Sequence, residues 1–406
     1  MLIIGGGIAG ASTALHLAEA GRSVTLLERG EVAGEASGVN MGGIGSLGWG
    51  NIPDLEAYLT MGSLQIFKRL QLDMGYDIEF RQSGALTAIQ TDEEFEYARD
   101  RVNGLRALGY EIELLSVNEV RSIEPEVSPE LRGFTYSRLR SQADPVKATQ
   151  AFAAAAEREG ARILTGHDVS QIEPPLRHIG VRTNLGQADG NYVVSAGGTK
   201  FHAETLVLAA GAWCDRLGAM MGLRIPIFPV RGQMWATDSL PPRLFHTMSA
   251  TESSLHWSQS PGNDDATPPE LTHQGTARVT RHLYGRQRRN GEIIFGGDRQ
   301  LVDFDDTPGA QGIEVNRGHA IEVLPFLRDI PIKRTWGGVM PFSIDGKPII
   351  GKIPQRANLY IVGGLCSSGF GRGPMAGKLL ADYIHTSHMP HVLSESDPAR
   401  CVTEAA

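Results

Sequence analysis

A glycine-rich turn near the start of the chain constrains its fold more than any other feature. The turn reads Gly5-x-Gly7-x-x-Gly10, it follows the apolar run of residues 2–4, and a predicted helix of small residues follows it. The next apolar run ends at Glu28. In such a strand-helix-strand unit the first glycine makes the tight turn, the second lets a pyrophosphate approach the backbone, and the third allows close helix packing. The unit predicts a dinucleotide-binding site.

The acidic residue of this unit narrows the choice of nucleotide. Glu28 lies 18 residues after Gly10, where its carboxylate can accept both hydrogen bonds of an adenosine ribose. An acid at that position disfavours a 2'-phosphate and hence NADP. FAD and NAD both fit the motif, so only other segments of the chain can distinguish between the two cofactors.

Composition excludes several classes of protein. The 406 residues predict two or three folding units, and the net charge of −8 argues against a nucleic-acid-binding surface over the whole molecule. No apolar run is long enough to span a bilayer. Cys214, Cys366 and Cys401 lie far apart, which favours neither a disulfide framework nor a zinc site, and we expect no bound metal. A reducing, cytoplasmic location follows as an expectation.

Two helix starts are predicted from local sequence. Ser116 and Glu119 have the spacing of a capping box. Asp144 precedes Pro145, which gives a capping acid followed by a proline at the first helical position. We also expect the chain after His388 to be disordered.

Several further segments, taken in order along the chain, resemble the FAD-dependent D-amino-acid-oxidase-like superfamily of the glycine oxidase, sarcosine oxidase and dimethylglycine dehydrogenase type. Each is a weak match alone, but their number and order make the resemblance specific over nearly the full length. They are GGGIAG at 5–10 with Glu28, GEASGVNMGG at 34–43, Ala-Asp-Pro at 143–145, AAGAW at 209–213, PVRGQ at 229–233, DGKPIIG at 345–351 and the glycine-rich turn at 363–373.

The resemblance implies an α/β fold, with a glutathione-reductase-like FAD-binding Rossmann domain and an inserted mixed-sheet α+β substrate domain. The FAD-binding domain would comprise residues 1–80, 145–225 and 336–388, and the substrate domain residues 81–144 and 226–335, with a tail at 389–406. The cofactor would be FAD.

The glycine-rich turns and the resemblance together predict the FAD contacts. The turn at 363–373 leads into a helix whose N-terminal N–H groups would face the negative charge that a reduced flavin develops. The predicted contacts are Gly5, Gly6, Gly7, Ile8, Ala9, Gly10, Glu28, Arg29, Ala36, Ser37, Met41, Gly42, Gly43, Val169, Gly211, Gly364, Ser368, Gly369, Phe370 and Gly371.

Attachment of the flavin is predicted to be non-covalent. Sarcosine-oxidase-like enzymes use a cysteine two residues before the position of Met340, where this chain has Gly338. Dimethylglycine-dehydrogenase-like enzymes use a histidine soon after the serine that corresponds to Ser37, where this chain has Gly38 and Val39. We interpret Cys366 as a small buried hydrophobic residue.

The predicted substrate site departs from the family. Amino-acid-oxidising relatives carry an arginine in a Gly-x-Arg-Pro segment that holds the substrate carboxylate, whereas Met340 occupies that position here. We expect Met340 to line the pocket as an apolar wall. Tyr284 resembles a substrate-facing tyrosine, and His282 shares its strand face, which suits amine binding or proton removal. The arginines near them in sequence are interpreted as a solvated basic face, namely Arg278, Arg281, Arg286, Arg288, Arg289 and Arg299.

These observations predict an FAD-dependent oxidoreductase that oxidises a C–N bond of an amine or N-substituted amino acid by hydride transfer to flavin N5, giving an imine. The expected partners are a small amine or amino-acid-like substrate and an electron acceptor, either O₂ or a redox carrier. The oligomeric state stays open. Two alternatives remain, a flavin-dependent 2-hydroxy acid dehydrogenase and a flavin-binding subunit of a hetero-oligomeric oxidase.

Overall fold

A computed structural model describes residues 1–47, 55–175, 191–259, 273–274, 277–278, 280–354 and 356–405. The helices are α1 (Ile8–Glu19), α2 (Ala36–Val39), α3 (Leu55–Leu72), α4 (Asp92–Ala107), α5 (Val117–Arg121), α6 (Pro145–Arg158), α7 (Cys214–Ala219), α8 (Glu252–Gln259), α9 (Ala310–Val323) and α10 (Gly369–Thr386). The strands are β1 (Leu2–Ile4), β2 (Thr25–Leu27), β3 (Gly43–Ile44), β4 (Ala85–Ile89), β5 (Ile112–Leu115), β6 (Gly133–Ser137), β7 (Ser141–Gln142), β8 (Arg162–Leu164), β9 (Val169–Glu173), β10 (Tyr192–Ala196), β11 (Thr199–Ala203), β12 (Leu206–Leu208), β13 (Leu223–Arg224), β14 (Ile227–Ser239), β15 (Thr247–Ala250), β16 (His273–Gln274), β17 (Ala277–Arg278), β18 (Tyr284–Gln287), β19 (Glu292–Gln300), β20 (Arg334–Ser343), β21 (Ile349–Lys352), β22 (Leu359–Gly363) and β23 (Thr403–Glu404).

One sheet has six strands in the order β21-β22-β12-β1-β2-β8. All neighbours in it are parallel except β21 and β22. The β1 residues are buried, as expected for a parallel strand covered on both faces. Helix α1 connects β1 to β2 and packs against α6 and α10. This sheet with its helices is the Rossmann-like part of the α/β fold predicted from the sequence.

The second large sheet has eight strands in the order β20-β14-β19-β18-β15-β4-β6-β5. It is mixed, because β15 and β4 run parallel while its other neighbours run antiparallel. A core that includes Leu86, Phe134 and Phe295, together with Ile313 and Ala320 of α9, covers one face. The opposite face borders a large cavity.

The strands of the two sheets come from separated parts of the chain. Residues 85–137 and 227–343 supply the eight-stranded sheet, and β20 belongs to it from Arg334 to Ser343. The six-stranded sheet takes its strands from residues 2–27, 162–208 and 349–363. The division of the chain into an FAD-binding and a substrate domain, with the boundaries given above, stays a prediction.

The prediction of a disordered chain after His388 is wrong. Residues 391–400 form short 3₁₀ turns, and Leu393 is fully buried among the helices of the six-stranded sheet. β23 then pairs antiparallel with β13. The segment is ordered because its apolar side chains, including Val402, complete the packing of the core.

Candidate functional site

A cavity of about 590 Å³ runs from the carboxyl ends of β1 and β2 to the open face of the eight-stranded sheet. It is lined by most of the residues predicted to contact FAD or substrate. These are Gly5, Gly7, Ile8, Ala9, Glu28, Arg29, Ala36, Ser37, Met41, Gly43, Val169, Gly211, Ser368, Gly369, Phe370, Gly371, His282, Tyr284 and Met340.

The nucleotide end of the cavity is built by the first glycine turn. Gly5 has φ +116°, and a Cβ on it would lie 2.4 Å from the carbonyl oxygen of Ala209. A Cβ on Gly10 would lie 2.1 Å from the carbonyl oxygen of Gly5. Only glycine fits at either position, because the turn, the start of α1 and Ala209, which follows β12, approach each other at backbone contact distance.

Glu28 closes this turn from the end of β2. Its carboxylate accepts hydrogen bonds from the backbone N–H of Gly6 at 2.6 Å and of Gly30 at 2.9 Å. Ser37 accepts a hydrogen bond at 2.9 Å from the N–H of Ile8, the first residue of α1. An acid at the strand end and a helix N-terminus at the turn form the donor and acceptor set that an adenosine diphosphate group requires.

A second glycine turn, at residues 41–43, leads into β3 and forms another wall of the cavity. The buried guanidinium of Arg286 donates hydrogen bonds to the carbonyl oxygens of Met41 and Ala143 and to the side chain of Gln142. A Cβ on Gly42 would lie 2.0 Å from the Ala143 carbonyl oxygen. Arg286 therefore fastens this turn to the eight-stranded sheet.

The third glycine turn ends at the start of α10. Gly364 has φ +62°, and Ser368 precedes the first helical residue, Gly369. Within the described residues Ser368 makes no side-chain cap hydrogen bond, and the first residues of α10, Gly369 to Gly371, line the cavity. Such an N-terminus carries partial positive charge, which suits an electron-rich or anionic group.

Four of the predicted FAD contacts do not line the cavity. Gly6, Gly10, Gly42 and Gly364 lie just behind its wall. They shape the turns that carry the lining residues, as the close approaches at Gly10 and Gly42 show. Their predicted direct contact with FAD stays untested.

The far wall brings together the residues predicted for the substrate. The rings of His282 and Tyr284 are 5.7 Å apart and meet edge to face. Ser253 lies within hydrogen-bond distance of His282, with 2.7 Å between its Oγ and Nδ1. Met340 lines the same space. Arg299 completes the wall, and it donates a hydrogen bond at 2.9 Å to Ser367 in the third glycine turn.

Burial sets the protonation states on this wall. It lowers the pKa of His282 well below its ordinary value, helped by the charge of Arg299, so the imidazole is neutral near pH 7. It raises the pKa of the Tyr284 phenol, which therefore stays protonated. It also lowers the pKa of Arg299 to about 10, which leaves the guanidinium charged. The wall offers one cation and two neutral hydrogen-bonding groups.

The interpretation of the nearby arginines as a solvated basic face is wrong for three of them. Arg281, Arg286 and Arg299 are buried, at 8%, 1% and 5% exposure. Arg289 is the exposed member of the set, with an ion pair to Asp77. The side chain of Arg278 lies outside the described residues. A clue lay in the strand pattern, because Arg299 ends a run of buried strand residues.

These observations define the class of protein. A glycine turn with a strand-end acid, two further glycine turns and a helix N-terminus surround one continuous cavity, and they fit FAD. The chain is an FAD-dependent oxidoreductase. Residues 1–383 match the family model described as FAD dependent oxidoreductase (DAO), and the chain belongs to that family.

Individual relatives agree with this assignment. A glycine oxidase of Bacillus licheniformis is 27% identical over 391 residues, which are 94% of this chain and 92% of the relative. The hydrogen cyanide synthase subunit HcnC of Pseudomonas aeruginosa is 28% identical over 82% of this chain and 70% of its own length. The crystal structure of glycine oxidase from Geobacillus kaustophilus superposes with a TM-score of 0.82 at 23% identity, covering 98% of each chain, and so shares the fold.

Two kinds of feature are absent from the described residues. None of their helices is both long and apolar enough to cross a membrane. Within the same residues, no three His, Cys, Asp or Glu side chains are grouped so that they could hold a metal ion.

Proposed function

We propose that this enzyme oxidises the C–N bond of a small amine that carries a carboxylate, giving an imine that water hydrolyses. The observation that carries the proposal is the far wall of the cavity, where Arg299, Tyr284, His282 and Met340 meet beside the third glycine turn. FAD, when bound, supplies the two-electron oxidant. The protein supplies orientation, charge and exclusion of water.

Arg299 is the residue that we propose to hold the substrate carboxylate in place of the arginine that relatives carry at position 340. It lies on β19, which is separated from β20 by β14 alone. Gly232 of β14 pairs with both Arg299 and Gly338, so these three positions share one row across the sheet. Because Gly232 and Gly338 carry no side chains, Met340 and Val39 lie over this row. Arg299 and Met340 both line the cavity, where the guanidinium can meet a carboxylate. A guanidinium pairs with a carboxylate in a bidentate manner.

Tyr284 and His282 are proposed to bind the amine. A protonated phenol donates a hydrogen bond, and a neutral imidazole accepts or donates one. The lowered pKa of His282 makes its imidazole a poor acceptor for the proton of an ammonium group, so the substrate binds as the neutral amine. Met340 contributes an apolar surface next to the reacting carbon.

The relatives support the substrate class, since proteins named glycine oxidase and dimethylglycine dehydrogenase are among them. The electron acceptor is O₂ or a redox carrier. The molecule that binds in this cavity is the small-molecule substrate. The three cysteines are free thiols, which supports a cytoplasmic location. The similarity to a protein named as a synthase subunit supports a second candidate, a flavin-binding subunit of a hetero-oligomer.

Anaerobic titration of the purified, FAD-loaded protein tests the proposal. Amines that carry a carboxylate, their carboxamide analogues and 2-hydroxy acids are added in turn while the flavin absorbance is recorded. We expect bleaching by the carboxylate-bearing amines and little by their carboxamides. Bleaching by 2-hydroxy acids alone would replace the proposal with the alcohol-oxidising alternative. Bleaching only after a partner protein is added would favour the hypothesis of a flavin-binding subunit. The rate at which the flavin absorbance recovers in air distinguishes O₂ from a redox carrier as the electron acceptor.

A further inference from the structure

The cavity continues past Tyr284 along the face of the eight-stranded sheet. Tyr284 pairs with Ser249 on β15, Ser249 with Thr87 on β4, and Thr87 with Thr135 on β6. These residues form one row on the cavity side, and Ser137 lies two residues beyond Thr135. Strands are spaced by roughly 4.8 Å, so the row is about 14 Å long. The cavity thus has a floor of hydroxyl groups beyond the far wall.

Some hydroxyl groups that line this extension have no hydrogen-bond partner among the described residues. Thr87 and Ser249 are 2.9 Å apart and hydrogen bond to each other. Thr251, only 3% exposed, and Tyr97 of α4 also line the cavity. Within the described part of the chain, the Oγ1 of Thr251 and the phenol oxygen of Tyr97 are buried without a hydrogen-bond partner. Buried polar atoms normally have partners, so these two indicate that a polar ligand group completes them.

Arg140 stands at the end of this floor, where β6 leads to β7. It lines the cavity, and its Cα lies 3.1 Å from the position that a Cβ on Gly45 would take. Its guanidinium forms no ion pair or hydrogen bond with any side chain or backbone group of the described residues. Burial lowers the pKa of Arg140 to about 10, so it is a cation at neutral pH. By contrast, the exposed Arg138 pairs with Glu113.

A half-buried cation that faces a cavity without an anion is costly, and a bound anion relieves that cost. We propose that Arg140 with Thr87, Thr135, Ser137 and Ser249 forms a distal subsite for a second oxyanion on the substrate. The substrate is then an amine with one carboxylate near the reacting carbon and a carboxylate or phosphate at the end of its tail. This inference rests on the proposed function, since Arg299 holds the first carboxylate.

Ligand binding to the FAD-loaded protein tests the distal subsite without turnover. The probes are unreactive dicarboxylates from succinate to suberate, monocarboxylates of equal length, and 4-phosphonobutyrate. Binding is followed by the change in flavin absorbance and by calorimetry. We expect at least one dianion to bind about tenfold or more tightly than its monoanion, since a charge-assisted hydrogen bond has that effect on affinity. The phosphonate and the dicarboxylate of similar length distinguish the two oxyanions.

Three variants connect this preference to the guanidinium. In Arg140→Gln the ratio between dianion and monoanion should fall to about twofold or less, while the monoanion keeps its affinity. Arg140→Lys should retain part of the ratio, because it keeps the charge. Arg138→Gln, two residues away and exposed, is the matched control and should behave as the parent does.

Other outcomes overturn the distal subsite. These are no preference for any dianion in the parent protein, an unchanged ratio in Arg140→Gln, or loss of FAD affinity in that variant with the ratio intact. The last result would mean that Arg140 contacts the cofactor. If no amine bleaches the flavin but the dianion preference depends on Arg140, the proposed function fails while the subsite stands.

Discussion

Replacing Arg299 by methionine is the sharpest test of the role proposed for the far wall of the cavity. Arg299 is 5% exposed and borders the cavity, so a substrate carboxylate beside it would be held away from bulk water. Truncating one partner of such a buried, hydrogen-bonded charge pair costs about 2–4 kcal/mol. At about 1.36 kcal/mol for each factor of ten, kcat/KM for a carboxylate-bearing amine should fall by about 30-fold to 900-fold.

The assay is anaerobic stopped-flow reduction of the flavin by the best amine substrate and by its carboxamide analogue. The carboxamide has no charge for Arg299 to pair with, so we expect its rate to change little in Arg299→Met. Arg289→Met is the matched control, because Arg289 is exposed and pairs with Asp77 at the surface. An equal loss for acid and amide, or no loss for the acid, would refute the assignment of Arg299 as the carboxylate anchor.

Three other perturbations test the cavity and its supports. Gly10→Ala places a Cβ 2.1 Å from the Gly5 carbonyl oxygen, so we expect the purified protein to lose FAD, measured as the ratio of flavin to protein absorbance. Arg286→Met removes the hydrogen bonds that fasten the second glycine turn, and should lower the free energy of unfolding by about 2–4 kcal/mol in urea titrations. His282 has a lowered folded-state pKa, so the unfolded chain binds its proton more readily and stability declines as pH falls below about 6.5. His282→Gln should show a smaller decline in urea midpoints over the same pH range.

Each of these perturbations has a control in the chain. Gly104 lies in α4 with open space around it, so Gly104→Ala should retain FAD. Arg289→Met should leave the free energy of unfolding unchanged, and the exposed His388→Gln should keep the parent pH dependence. Full FAD content in Gly10→Ala, parental stability in Arg286→Met, or parallel pH curves for His282→Gln and the parent would each contradict the corresponding reasoning.

Features determined by neighbouring residues were predictable from the sequence. The capping box of Ser116 and Glu119 is present, and Asp144 caps α6 with Pro145 at its first position. α1 follows the first glycine turn as the motif predicts. Caps and tight turns depend on backbone geometry within a few residues, and short patterns record that geometry.

The positions of the buried arginines were not predictable in the same way. Arg286 and Arg299 lie in a polar stretch that also contains the exposed Arg289, and the strand residues before Arg299 are the one local clue to the difference. Their burial follows from the order of strands β14, β19 and β18, with a register shift between Gln233 and Met234. That order is a long-range property of the sheet, and so is the packing of the chain after His388.

A final prediction concerns Met340, which stands where relatives carry an arginine. In the sheet, Gly232 of β14 lies between the strands of Arg299 and Met340. A Cβ on Gly232 would lie 3.0 Å from the Met340 Cε, so the Met340 side chain extends over the same gap that Arg299 borders. In Met340→Arg a second guanidinium would enter this gap, and repulsion between like charges should cancel the benefit for a carboxylate. We therefore expect Met340→Arg alone not to improve kcat/KM. The double variant with Arg299→Met should have a kcat/KM at least about tenfold higher than that of Arg299→Met alone. Additive effects of the two substitutions would show that the side chains do not share one site.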